Sequence, residues 1–224
     1  MKFDIITIFP ESLRGYFNSS ILGHAQKDKK IEINLHNLRD FTQDKHKKTD
    51  DKPYGGGPGM VLKIEPIARA ISKIKSKISN LSADRQDLEN YKIILFSPSG
   101  KQFTQNMARN WAKKYDNIIM ICGRYEGVDA RVKKIFKVQE ISIGSYVLTG
   151  GELPAAVIAD AVARHIPGVL GKEESLEEKR GMSGFPVYAK PEIFEFEGRK
   201  YGTPKVLLSG HHINIKNWRK KMAL

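Results

Sequence analysis

Three short apolar runs constrain this chain most, because each ends in a loop of glycine, serine or proline and each leads into a helical pattern. Ile93–Phe96 ends in Ser97-Pro98-Ser99-Gly100 and is followed by Phe103, Met107 and Trp111 at helical spacing. Ile118–Cys122 ends in Gly123-Arg124-Tyr125-Glu126-Gly127, before a helix predicted over Val128–Phe136. A strand near Val138–Ile143 ends in a loop through Gly144, Gly150 and Gly151, before a helix predicted over Pro154–Arg164. Earlier, Phe3–Phe9 reads as a buried strand stopped by Pro10, and Ile31, Ile33 and Leu35 alternate with polar residues. Strand alternating with helix at this pace predicts an α/β domain with a mainly parallel sheet.

Ligands of such sheets bind beyond the carboxyl ends of the strands. The candidate site is therefore built from Phe96-Ser97-Pro98, from Gly123 to Gly127, and from Ile143-Gly144-Ser145-Tyr146-Val147-Leu148 through Gly150 and Gly151 to Pro154. Glycines let backbone approach a flat ligand, and tyrosine or leucine can cover its faces. No phosphate-cradling G-x-x-x-x-G-K-[ST], dinucleotide G-x-G-x-x-G, G-x-S-x-G or H-E-x-x-H occurs. A nucleoside carried on something other than phosphate suits these loops. The six histidines lack metal-ligand spacing, so no protein-built metal site is expected.

With a single cysteine, Cys122, a disulfide framework is excluded. Its apolar neighbours Met120 and Ile121 mark it as a buried thiol. No apolar run reaches the ~18 residues of a membrane span, and the N-terminus does not read as a signal peptide. A cytoplasmic protein is expected. The net charge of +13 favours a polyanionic partner through long-range attraction and counterion release. From Arg39 to Met60 no period survives, and the stretch ends in Tyr54-Gly55-Gly56-Gly57-Pro58-Gly59. Such a segment within a domain is usually functional or mobile. From Lys172 to Gly184 the pattern breaks into a polar linker. The 39 residues after it, from Pro186, carry eight Lys or Arg and three acids.

Taken together, these loops resemble the TrmD family, the bacterial tRNA (guanine-N1-)-methyltransferases of the SPOUT superfamily. The matching stretches are Asp44-Lys45-His46, Asp50-Asp51, Pro53 to Met60, Cys122 to Asp129, Ile143 to Leu153, Asp160 to Arg164, Ile166 to Gly171, and Leu208-Ser209-Gly210-His211-His212. The resemblance implies a deep C-terminal trefoil knot within a methyltransferase domain at 1–169, a flexible linker at 170–185, and a short basic helical tRNA-binding domain at 186–224. It implies S-adenosylmethionine bent in the knot, with its adenine held around Gly123 and Ile143 to Leu148. It further implies a homodimer with active sites at the subunit interface, and transfer to N1 of guanosine 37 of tRNA, next to the anticodon. Glu126 matches a carboxylate near the methionyl end, where Mg²⁺ is also implied. Arg164 matches the cation that meets charge developing at guanine O6. His46, Asp50, Arg124, Lys216 and Arg219 are the expected RNA contacts.

The chain departs from the family pattern at three places. Lys179 stands where the family places its proposed base, an Asp fifteen residues after Arg164, so Glu178 takes that expected role with Glu177 next. Ser145 replaces an Asp beside the donor, and the sequence ends at Leu224 where relatives continue. Two other readings stay open at this point: a SPOUT methyltransferase for another RNA nucleotide, and a tRNA-binding protein with weak or lost activity.

Overall fold

The computed structural model describes residues 1–81, 90–170 and 184–223, which fall into two compact units, Met1–Leu170 and Gly171–Leu224. The first is an α/β unit around a five-stranded sheet in the order β2-β1-β6-β5-β7. Its strands β1 (Lys2–Thr7), β2 (Glu32–Asn37), β5 (Tyr91–Gln102), β6 (Asn117–Ile121) and β7 (Gln139–Ser142) are all parallel.

Helices cover both faces, so the central strand β6 is apolar on both sides from Ile118 to Ile121 rather than alternating. On β6, Ile118 and Met120 face a core completed by Leu13 and Phe17 of α1 (Glu11–Phe17) and by Leu22 of α2 (Ser20–Lys27). Trp111 of α4 (Gln105–Lys114) and Ile158 and Val162 of α6 (Glu152–Ala163) fill the same layer. Ile119 and Ile121 face the opposite core, with Ile67, Ile71 and Ile74 of α3 (Ile64–Leu81) and Val132 of α5 (Arg131–Phe136). Among the described residues no helix is long and apolar enough to cross a membrane.

Local differences from the sequence reading have identifiable causes. β5 does not end at Phe96: the chain stays extended through the Ser-Pro-Ser-Gly segment, and the register shifts so that Ile141 of β7 opposes both Phe96 and Lys101. α5 starts later than Val128, because Val128 forms a parallel bridge with Leu62 and the Asp129 carboxylate accepts the Arg131 N–H at 2.9 Å. The aperiodic stretch contains a 3-10 turn at Leu38–Phe41 and a short antiparallel pair, β3 (Asp50–Asp51) with β4 (Val61–Leu62).

The second unit is not wholly helical. Besides α7 (Lys205–Leu208) and α8 (His212–Met222) it holds an antiparallel hairpin, β8 (Ile193–Phe196) and β9 (Arg199–Gly202). Glu197 and Gly198 join the strands with φ of 49° and 73°. Positive φ at both central residues is the signature of a tight hairpin turn whose twist suits the strands. Glu-Gly is a less familiar version of that turn than Asn-Gly, and charged residues flank it. Most of the expected linker, with Glu177, Glu178 and Lys179, lies outside the described residues.

Candidate functional site

The three glycine-bearing loops meet in one pocket of about 310 Å³ beside β5, β6 and β7, a volume in the range of small-molecule sites. Phe96, Ser97 and Pro98 enter from the register shift in β5, and Gly123, Tyr125 and Glu126 from the turn after β6. Ile143, Gly144, Tyr146, Val147, Leu148, Gly150, Gly151 and Pro154 line the remainder. Of the residues expected here, only Ser145 is not part of the lining; it is exposed.

Local bonding explains why these loops hold their shape. The Ser142 hydroxyl donates to the Gly144 carbonyl at 2.9 Å, and the Tyr146 hydroxyl donates to the Ile143 carbonyl at 3.3 Å. Gly151 donates its N–H to the Gly123 carbonyl at 3.0 Å, which ties the second loop to the third. A Cβ on Gly151 would lie 2.6 Å from the Cys122 Cα, so only glycine allows this approach. Tyr125 sits at φ 57°, in the left-handed region, and this turns its side chain toward the pocket.

A charged pair that sequence reasoning missed holds the same two loops. Arg124 places a guanidinium nitrogen 2.9 Å from Glu152, donates to the Thr149 carbonyl at 3.3 Å, and lies over the Phe9 ring at 4.8 Å. Glu152 is buried, and its other oxygen accepts the Thr7 hydroxyl at 2.6 Å, while Thr7 accepts the Phe9 N–H at 2.9 Å. A buried carboxylate is sustained by such partners. The only hint of Glu152 in the sequence was an acid opening a helix after two glycines, where a helix N-terminus favours it. Arg124, expected as an RNA contact, makes these bonds while still lining the pocket.

Glu126 is exposed at the pocket, its N–H donating to the Met60 carbonyl at 3.0 Å. This anchors the Gly55–Gly59 stretch beside it. Lys133 and Glu140 pair across the lining at 3.0 Å. The Cys122 thiol is buried behind Gly151; burial pushes its pKa well up, Glu152 adds to this, and Arg124 partly opposes it. It stays protonated and unreactive at neutral pH.

Arg164 caps the C-terminal end of α6, its N–H donating to the Asp160 carbonyl at 3.2 Å, and it does not line the pocket. His46 is exposed in the loop that Asp44 organises by accepting the Lys48 N–H at 3.0 Å, which lowers the Asp44 pKa. Asp50 opens β3, half-buried and opposite Leu62. Lys216 and Arg219 stand on α8 of the second unit, Arg219 over the Phe185 ring at 5.3 Å. Glu178 lies outside the described residues. No three His, Cys, Asp or Glu among the described residues converge as a metal site.

The family described as tRNA (Guanine-1)-methyltransferase TrmD matches residues 1–224. A tRNA (guanine-N(1)-)-methyltransferase of Dictyoglomus turgidum is 51% identical over 227 aligned residues, which cover 100% of this chain and 85% of the relative. The corresponding proteins of Thermomicrobium roseum and Carboxydothermus hydrogenoformans are 47% and 48% identical, again over 100% of this chain and over 79% and 83% of their own lengths.

Proposed function

The chain belongs to the tRNA (guanine-1)-methyltransferase family and is a tRNA guanine-N1 methyltransferase; we propose that its target is guanosine 37, beside the anticodon, and that the three-loop pocket holds its methyl donor. The observation that carries this reading is the meeting of the loops at 96–98, 123–127 and 143–151 in one cavity of about 310 Å³. The donor is S-adenosylmethionine, which supplies an already activated sulfonium methyl group. The lining fits it. Backbone at Gly123 and in the Ile143–Leu148 loop suits an adenine edge, apolar Leu148 and Pro154 suit its faces, and Glu126 suits the ammonium of the methionyl end.

The loops belong to a deep trefoil knot. Supporting it, Ile141 pairs with both limbs of β5 around the register shift. A Cβ on Gly100 would lie 2.6 Å from the Ile141 nitrogen, so these segments pass unusually close. Short, untangled connections are the usual rule, and close crossings of this kind call for glycine.

Guanine N1 holds a proton at neutral pH, so transfer to it requires a base within hydrogen-bond reach. Glu178 removes that proton, and Arg164 offsets the charge that develops at O6. A Glu178→Gln variant that binds tRNA normally yet methylates at full rate would remove Glu178 from this role. The residues present fit Mg²⁺ only as a single carboxylate, Glu126, sharing the ion with substrate oxygens and water. It would supply charge neutralisation there.

The subunit is one half of a homodimer with active sites at the interface. Leu153 and Val157 form an exposed apolar stripe on α6, and Tyr16 and Ile21 are exposed on α1 and α2. Exposed apolar area of this kind marks an association surface. Residues 1–169 form the donor domain and 186–224 a basic tRNA-binding domain, joined by the 170–185 linker, and the enzyme works in the cytoplasm. Photo-crosslinking of labelled S-adenosylmethionine tests the pocket assignment. Adducts should map to peptides spanning 96–98, 123–127 or 143–151, and adducts confined to other segments would count against it.

A further inference from the structure

The β8–β9 hairpin carries an exposed aromatic face. Phe194 opposes Tyr201 and Phe196 opposes Arg199, and side chains alternate along a strand, so these four share one face. Phe194, Phe196 and Tyr201 are each more than half exposed. Elsewhere in the unit Phe185, Leu207 and Ile215 line a separate cavity, and Tyr188 is tilted against Trp218 at 6.3 Å. The Phe194 and Phe196 rings are nearly parallel, 13° apart in tilt with centroids 6.3 Å apart. That separation is just under twice the ~3.4 Å of stacked bases.

We infer that this face is a stacking platform for an unpaired base of the RNA substrate, an inference that rests on the tRNA reading above. Aromatic rings on a strand pair are the usual receivers of splayed bases, and every base offers a π face. Arg199 places a cation on the same face, able to stack or to meet the adjoining phosphate. Glu195 and Lys200 oppose one another on the other face, so the acid is kept off the platform. The surrounding sequence from Pro186 is basic by five charges. An anticodon loop, in which the proposed target guanosine lies, supplies unpaired bases.

The test uses the full chain, tRNA transcripts with 2-aminopurine at successive anticodon-loop positions, and the double variants F194L/F196L and F194Y/F196Y. The wild type should quench one of these positions. F194L/F196L should abolish that quench and weaken tRNA binding at least about fivefold. Donor affinity, salt slope and turnover at saturating tRNA should stay unchanged, and F194Y/F196Y should restore both signals. Unchanged quenching and affinity in F194L/F196L would overturn the platform. So would a loss of thermal stability or of the oligomer in that variant, which would make the face a protein-packing surface. A wild type that methylates no tRNA overturns the function itself, and is distinguished by being measured before any variant.

Discussion

Arg124, in the lining of the three-loop pocket, and Glu152 form a 2.9 Å ion pair that joins the turn after β6 to the start of α6. The pair is anchored from behind by Thr7 at the end of β1. One carboxylate therefore ties together the end of β1, the turn after β6 and the start of α6.

Replacing that carboxylate by alanine leaves the partly exposed Arg124 guanidinium and the buried Thr7 hydroxyl without the carboxylate they share. Glu152→Ala should destabilise the protein by about 1–3 kcal/mol, the cost of leaving the buried hydroxyl unsatisfied and the cation without its charged partner. In the fraction that stays folded, donor affinity should fall tenfold or more. Denaturant unfolding and calorimetry with S-adenosylmethionine check both, and a variant as stable and as tight as the wild type would show that the pair does not organise the pocket.

At Gly151 the constraint is steric. An alanine Cβ would press on the Cys122 backbone, so α6 must shift away from β6. Gly151→Ala should cost roughly 1–3 kcal/mol, as overpacking does, and weaken the donor more than it weakens tRNA. Equal binding of both by variant and wild type would contradict the close-approach explanation.

Much of this arrangement could be read from the sequence, and the unread part has physical causes. The apolar runs and glycine punctuation gave the parallel strands and the loops that line the pocket, since both follow from local chain chemistry. Glu152 was passed over because its partners, Arg124 and Thr7, are distant in sequence and meet only through the sheet order β1-β6. The extension of β5 through Pro98 was hidden because serine, proline and glycine ordinarily signal a turn. The β8–β9 hairpin was obscured by a short strand of alternating phenylalanine and glutamate exposed on both faces.

Tyr16 provides a pH signature. Its hydroxyl donates to the Asp160 carboxylate; that bond, then burial, then the neighbouring charge raise the phenol from 10.0 to about 12. The folded state thus favours the protonated phenol. Its contribution to stability is fully present below pH 10 and is lost as the pH rises through 10 to about 12. Among eight tyrosines, one phenolate absorbance step should come late and vanish in Tyr16→Phe. A titration identical in the two proteins would contradict the bond.

The proposed dimer depends on the apolar stripe of α6. Paired Leu153→Asp and Val157→Asp changes should yield monomers in sedimentation equilibrium and abolish methyl transfer, as the proposed placement of active sites at the interface requires. A fully dimeric, active double variant would place the interface elsewhere.

The most direct measurement is methyl transfer from labelled S-adenosylmethionine to two tRNA transcripts that differ only in guanosine or adenosine at position 37, with the product nucleoside identified. Label in the guanosine transcript alone, recovered as N1-methylguanosine, is the predicted result. Equal labelling of both transcripts, or label recovered in another nucleoside, would contradict it.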